Sequence, residues 1–206
     1  MPNRLRTLLA SLCIVASGGA ALWVATDGLR VFTTETARRV SVRAAPRLLP
    51  DVALQDDAGA RFALADLRGR WLLVDFIYTR CLSCCNVLGG DFAQLQQNLA
   101  APLRDGRLRL LSISFDPAHD APAELAARKR RFGDHGIGWT AARPLDAAGL
   151  ATLGHAFGLK VVEDGMGGYV HNASIALVDP RGRLVDVFDA GAPGQVAAAV
   201  QRRLAQ

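Results

Sequence analysis

The chain lacks sequence repeats, and its folded part lacks the excess of basic residues that marks a nucleic-acid-binding protein. Its 206 residues contain no internal repeat and no low-complexity tract. The formal charge of +5 comes from the first 50 residues, because residues 51–206 carry equal numbers of acidic and basic side chains. A neutral folded region offers no basic face to a phosphate backbone, so we expect no nucleic-acid partner.

Charge is missing altogether from residues 7–26, which follow Arg4 and Arg6. An uncharged stretch of this length can span a bilayer as a helix, and leading arginines favour a cytoplasmic N-terminus. Residues 1–26 are therefore predicted to anchor a single-pass inner-membrane protein whose folded domain lies in the periplasm. A signal peptide cleaved near residues 17–20 is the alternative. Both alternatives export the rest of the chain.

Residues 27–49 show no sustained hydrophobic period and are predicted to be a linker to one domain over residues 50–206. The apolar run of residues 71–78 predicts a buried strand, and residues 107–115 predict a second strand. The whole domain reads as β-α-β, then helices, then β-β-α. That order is typical of a thioredoxin-like α/β sandwich, in which helices flank a central mixed sheet.

Helices are predicted from apolar spacing and from capping residues. Apolar side chains at steps of four, three and four predict a helix with one buried face; they are Leu88, Phe92, Leu95 and Leu99. Asp120 and Asp146 are each predicted to cap a later helix. The charged run Arg128–Arg131 is predicted to be a solvated helix face, and Pro180–Gly182 signals a hairpin.

Cysteine is scarce, with four in the chain, and Cys13 lies inside the uncharged segment. The three others are Cys81, Cys84 and Cys85. A purely structural disulfide would leave one thiol unpaired, and structural zinc would lack a second cysteine pair. A metal site, a redox pair and inert packing remain as hypotheses, and three cysteines within five residues of an exported domain disfavour packing.

Spacing favours the metal site. Cys81 and Cys85 continue the apolar stripe backwards from Leu88, so a helical first turn would place them on one face. Their Cβ atoms would then be roughly 5–6 Å apart. Side-chain rotation closes that distance for a metal, whereas a disulfide needs about 3.8 Å and a loosened helix start. Two soft thiolates favour Cu(I), with zinc as a competitor, and a histidine is a plausible third ligand.

Proline is absent where a thioredoxin-like enzyme would have it. Cys81 and Cys84 form a Cys-x-x-Cys pair, the motif of thiol–disulfide oxidoreductases. Those enzymes typically have a proline inside the motif and a cis-proline before the facing strand. Neither the motif nor residues 168–175 contain one. The alternative of an oxidoreductase that acts on target cysteines is weakened and stays open.

Three stretches of the chain resemble the Sco/SenC family of copper chaperones. They are DVALQDDAGARFALADLRGRWLLVDFIYTRCLSCC (51–85), LLSISFDPAHDAPAEL (110–125) and GYVHNASIALVDPRGRLVDVF (168–188). The resemblance covers nearly all of residues 50–206. It implies an exported, usually membrane-anchored thioredoxin fold that binds copper, as Cu(I), Cu(II) or both. It also implies a role in assembling the dinuclear copper site of cytochrome c oxidase.

Carried over to this chain, the resemblance implies Cys81, Cys85 and His171 as copper ligands, with the two cysteines also forming the redox pair. The implied partner is the copper-bearing subunit of cytochrome c oxidase. A metallochaperone needs no turnover chemistry, so we predict no catalytic residue. Prolines that often follow the family's cysteines are replaced by Leu82 and Asn86, which leaves open where the helix starts and which pair is functional.

The residues before His171 include several glycines, at 165, 167 and 168. Glycine accepts backbone conformations that other residues resist. The sequence therefore predicts a mobile loop, from which the imidazole could move onto a metal held by two sulfurs and leave it again during transfer.

Overall fold

The computed structural model describes residues 2–26, 33–81, 84–134 and 136–205, and it leaves the side chains of Cys84 and Cys85 outside the description. The chain divides into two compact units, Met1–Ser41 and Val42–Gln206. Helix α1 (Pro2–Ala25) lies in the first unit. Its stretch Arg4–Ala25, with a mean hydropathy of 2.0, is long and apolar enough to cross a membrane. A signal sequence would pass the same test, so the anchor stays a prediction.

Helix α2 (Thr34–Ala44) and strand β1 (Arg47–Leu48) follow. Part of the predicted linker is therefore regular secondary structure.

The remaining elements belong to the second unit. In chain order they are β2 (Ala53–Asp56), β3 (Arg61–Ala63), a 3-10 turn (Leu64–Leu67), β4 (Trp71–Ile77), α3 (Cys84–Asn98), α4 (Ala100–Arg104), β5 (Leu108–Ser114), α5 (Pro122–Arg131), β6 (Trp139–Pro144), α6 (Ala147–Phe157), β7 (Val161–Glu163), β8 (Tyr169–His171), β9 (Ser174–Val178), β10 (Arg183–Asp189) and α7 (Pro193–Leu204).

Eight of the described strands, β1 among them, form one mixed sheet in the order β1-β10-β9-β4-β5-β6-β2-β3, while β7 and β8 pair with each other. Strands β4, β5 and β6 are parallel, and β9 runs antiparallel to β4. This arrangement confirms the predicted thioredoxin-like sandwich. The βαβ unit and the β9–β10 hairpin are both where the sequence predicts them.

Successive side chains of β4 supply both faces of the core, as expected for a buried central strand. Leu72, Val74 and Phe76 pack on the face that also holds α6, whereas Leu73 packs with α3 and α7 on the other. The predicted apolar stripe is confirmed as buried, since each of its four side chains is at most 1% exposed; they are Leu88, Phe92 and Leu95 of α3 and Leu99, which directly follows the helix.

One helix cap is confirmed and the other is wrong. Asp146 caps α6 by accepting a hydrogen bond from Gly149 N at 2.7 Å. Helix α5 instead has Ala121 at its N-cap position without a side-chain hydrogen bond, and it begins with Pro122. The carboxylate of Asp120 instead bonds to Thr79 and Ser114, at the candidate site.

Candidate metal site

The thiol side of the site begins where β4 ends. Tyr78 follows the strand, and the N–H of Cys81 donates to the carbonyl oxygen of Tyr78 at 3.4 Å. Cys81 is only 3% exposed and belongs to the same buried cluster as Tyr78 and Phe115. Phe115 follows β5, so this group lies at the carboxyl ends of two parallel strands, where α/β sheets commonly bind ligands.

Asp120 holds the segment that carries Cys81. Its carboxylate accepts hydrogen bonds from Thr79 N at 3.1 and 3.2 Å and from Thr79 Oγ1 at 2.5 Å. It also accepts one from Ser114 Oγ at 2.6 Å. Asp120 is fully buried, so these bonds compensate for its lost hydration. The end of β4, the end of β5 and the loop before α5 are thereby joined two residues before Cys81.

Cys84 and Cys85 open helix α3. Cys85 lies three residues before Leu88, the first buried residue of the α3 stripe. Because the side chains of both cysteines are outside the description, their roles remain predictions. Among the described residues no group of three or more His, Cys, Asp or Glu could hold a metal, and the predicted ligand set includes Cys85.

His171 lies in strand β8, where it pairs with Val161 of β7. It is 8% exposed, and its ring packs edge-on against Phe115 with 5.0 Å between the ring centroids. Phe115 in turn lies 5.1 Å from the ring of Tyr78. Cys81 and Phe115 belong to one buried cluster, and His171 packs against Phe115, although about ninety positions separate the cysteine from the histidine in sequence.

The glycines before His171 lie in the segment that joins β7 and β8, and the mobility that the sequence predicts for it stays a prediction. They form the turn of the β7–β8 hairpin, with positive φ at Gly165 and Gly167. The carboxylate of Asp164 closes this turn by accepting from Met166 N at 2.8 Å and Gly168 N at 2.9 Å. The imidazole therefore lies on a strand at the base of the hairpin, away from its glycine-rich end.

His171 is neutral at physiological pH. Burial lowers its pKa to about 4, and the positive charge of Arg128 adds to the effect. An imidazole binds metals in its neutral form, so the ring needs no deprotonation before it can act as a ligand. This state suits the predicted role of His171.

Arg128 also acts on a second buried group. Asp75 of β4 is completely buried, and burial raises its pKa to about 7, although the charge of Arg128 opposes this shift.

Arg128 is 7% exposed and Lys129 is 9% exposed, so the prediction of a solvated face is wrong for these two residues. Lys129 pairs with Asp57 at 2.9 Å. Sequence reasoning misses both residues because a run of four basic residues usually indicates solvent.

The model of the family described as SCO1/SenC matches residues 41–206 of this chain. The chain belongs to the SCO1/SenC family. A relative within it, the mitochondrial protein SCO2 homolog of Bos taurus, is 26% identical over 207 residues, which cover 98% of this chain and 76% of that protein. The predicted family is thereby confirmed.

Solved structures of Sco proteins have the same fold. ScoI of Bradyrhizobium japonicum, solved with copper bound, is 24% identical, with a TM-score of 0.64 over 76% of this chain and 99% of that one. BsSco is 21% identical, with a TM-score of 0.66 over 76% and 93% of the two chains. It is described as having a disulfide switch and as a member of the Sco family of cytochrome c oxidase assembly proteins.

Proposed function

We propose that this chain is a membrane-tethered copper metallochaperone whose folded domain faces the periplasm. Cys81, Cys85 and His171 would hold the copper, and the copper-bearing subunit of cytochrome c oxidase would receive it. Copper bound to ScoI and the assembly role stated for the Sco family support this proposal. Copper is cargo here, so the site must bind and release it without turnover chemistry.

The observation that carries the proposal is the burial of a neutral imidazole against Phe115, which belongs to the same buried cluster as Cys81. His171 and Cys81 are both nearly inaccessible, at 8% and 3% exposure. Thiolate and imidazole ligands suit copper rather than a hard cation such as magnesium. The carboxyl end of β4 would support the sulfur, while β8 would support the ring.

Arg128 fits this function through its charge. Two thiolates and one Cu(I) carry a net negative charge, and burying that charge costs free energy unless a positive group lies nearby. Arg128 is buried and acts electrostatically on His171. Its guanidinium would partly neutralise the copper-loaded site.

The test is metal analysis of the reduced full chain in detergent, with free thiols counted before and after copper is added. We expect one copper per chain and two thiols protected by it. Cys81→Ser and Cys85→Ser should each abolish binding, whereas Cys84→Ser is the matched control and should bind normally. His171→Ala should weaken binding and change the Cu(II) spectrum. Normal copper binding by both Cys81→Ser and Cys85→Ser would contradict the proposal.

Membrane attachment needs a separate test, because α1 would serve equally as a cleaved signal. The mass of the chain recovered from membranes shows whether residues 1–26 are retained. We expect the uncleaved mass in the membrane fraction, with the folded domain open to protease from the periplasmic side. A shortened chain in the soluble periplasmic fraction would contradict the anchor and leave the copper site unaffected.

A thiol–disulfide oxidoreductase is the second candidate. The Cys81–Cys84 spacing and the disulfide switch described for BsSco favour it. Cys84→Ser separates the two functions, because an enzyme working through Cys81 and Cys84 would lose reductase activity toward a cysteine-containing peptide. A copper site built from Cys81 and Cys85 would keep its metal in the same variant.

A further inference from the structure

Tyr78 lies at the junction between the two sides of the site. It directly follows β4 and precedes Cys81 by three residues. Its side chain is 4% exposed and reaches β8, more than ninety positions further along the chain. No sequence pattern points to this residue, because its hydroxyl acts on a segment that is distant in sequence.

The hydroxyl of Tyr78 satisfies both main-chain polar groups of Tyr169. It donates to the Tyr169 carbonyl oxygen at 3.2 Å and accepts from the Tyr169 N–H at 3.1 Å. Tyr169 opens β8, and His171 ends the same three-residue strand. A single side-chain oxygen therefore takes the place of a neighbouring strand along this edge of β8.

Gly168 leaves space for this hydroxyl because it has no side chain. A Cβ atom on Gly168 would lie 3.2 Å from Tyr78 Oη, closer than most side-chain contacts allow. The ring of Tyr78 also packs against Tyr169, with 5.4 Å between centroids, so the contact has an apolar part and a polar part. Replacing Tyr78 by phenylalanine would keep the contact between the rings and remove the hydrogen bonds of the hydroxyl.

We propose that the Tyr78 hydroxyl is a positioning group that fastens strand β8 to the loop carrying Cys81, and so sets where the His171 imidazole lies relative to the sulfur. The inference rests on the proposed function in that His171 and Cys81 are taken as ligands of one copper. Without the hydroxyl, β8 spends less time in the arrangement that can bind. Apparent affinity falls by the same factor as the population of that arrangement.

The experiment compares two variants of the full chain, each of which removes one hydroxyl. Tyr78→Phe removes the fastening group. Tyr169→Phe is the matched control, because the side-chain hydroxyl of Tyr169 makes no hydrogen bond with the described residues, while its main-chain groups still bond to Tyr78. These two residues are the only tyrosines of the chain.

The first readout is amide hydrogen exchange of the copper-free chain. We expect exchange at residues 169–171 to rise about tenfold in Tyr78→Phe and to stay unchanged in Tyr169→Phe, with the α3 amides unaffected in both. Unchanged exchange at these residues in Tyr78→Phe would overturn the fastening, whether or not the chain binds copper.

The second readout is copper affinity, measured by competition with a chelator. Tyr78→Phe should bind copper about tenfold more weakly, which corresponds to about 1.4 kcal/mol. In a His171→Ala background the same substitution should cost less than twofold, because no imidazole remains to be positioned. An equal loss in both backgrounds would overturn positioning through His171. Failure of the proposed function looks different, since Cys81→Ser and His171→Ala would then leave copper binding intact.

Discussion

Cys81 lies shortly after the end of β4, a central strand of the eight-stranded sheet. His171 lies in β8, one of two strands that form a sheet of their own. Strand β4 pairs with β5 over all seven of its residues. Strands β7 and β8 have three residues each. On this hairpin Val162, Met166 and Val170 are 65%, 89% and 63% exposed.

This difference suggests different mechanical roles for the two proposed ligands. A fully paired, buried strand moves only when the whole domain opens, while a short and exposed hairpin can open locally at small cost. We therefore expect the thiol side to hold copper throughout a transfer and the imidazole side to let it go. The predictions below test whether the two sides differ in stability as much as their construction implies.

The largest effect is expected at Asp120, on the thiol side. Asp120→Ala would leave the N–H and hydroxyl of Thr79 and the buried hydroxyl of Ser114 without their acceptor. We expect a loss of about 4 kcal/mol in the free energy of unfolding, since each unsatisfied buried donor costs on the order of 1–3 kcal/mol. Chemical denaturation of the copper-free chain measures it. Asp146→Ala, which removes an exposed helix cap, is the control and should cost about 1 kcal/mol. Equal losses in the two variants would mean that the loop before Cys81 is not specially fastened.

Asp75 should give the thiol side a distinctive pH dependence. Its pKa is about 7 in the folded chain and about 3.9 when unfolded. The folded state therefore binds more protons between these values, so the contribution of Asp75 to stability falls as pH rises from 4 to 7. The free energy of unfolding of Asp75→Asn should rise by about 3 kcal/mol relative to that of the parent chain over that interval. Denaturation at several pH values tests this, and a constant difference between variant and parent would contradict the raised pKa.

The thiol side is also the part of the molecule that sequence predicts best. Strand β4 and helix α3 have patterns that depend only on neighbouring residues, an apolar run and a regular apolar spacing. Strand β6 is missed because Trp139–Pro144 contains one β-branched residue and ends in proline. Strands β7 and β8 are missed because they are short, mostly exposed and joined by glycines, features that usually indicate a loop.

The site itself shows where local reasoning ends. Asp120 precedes a helix and so resembles a cap, yet its carboxylate bonds to Thr79, 41 positions earlier. The hydroxyl of Tyr78 likewise bonds to a residue that is distant in sequence, Tyr169 of β8, 91 positions later. Both interactions depend on tertiary structure. Cys81 and His171 could be proposed as ligands from their residue types, whereas the groups that hold their segments could not be predicted from the sequence.

The imidazole side should show the opposite pH dependence. The pKa of His171 is about 4 when folded and about 6.5 when unfolded. Between these values the unfolded state binds more protons, so this contribution to stability rises with pH and is lost as pH falls from 6.5 to 4. As pH falls over this interval, we expect the free energy of unfolding of the parent chain to drop by about 2 kcal/mol relative to that of His171→Gln. A difference that does not change with pH would mean that the ring titrates normally, and so that β8 is open.

The smallest effect is expected at Asp164, which accepts two main-chain hydrogen bonds as the counterpart of Asp120 on the imidazole side. Its partners are exposed N–H groups at the hairpin turn, so water can replace the carboxylate when it is removed. Asp164→Ala should lower the free energy of unfolding by less than about 1 kcal/mol. Amide exchange at residues 165–171 should nevertheless rise, because the turn no longer holds the two strands in register. A loss as large as that of Asp120→Ala would show that the hairpin is part of the cooperative core, and the assigned division between a fixed sulfur and a movable imidazole would then fail.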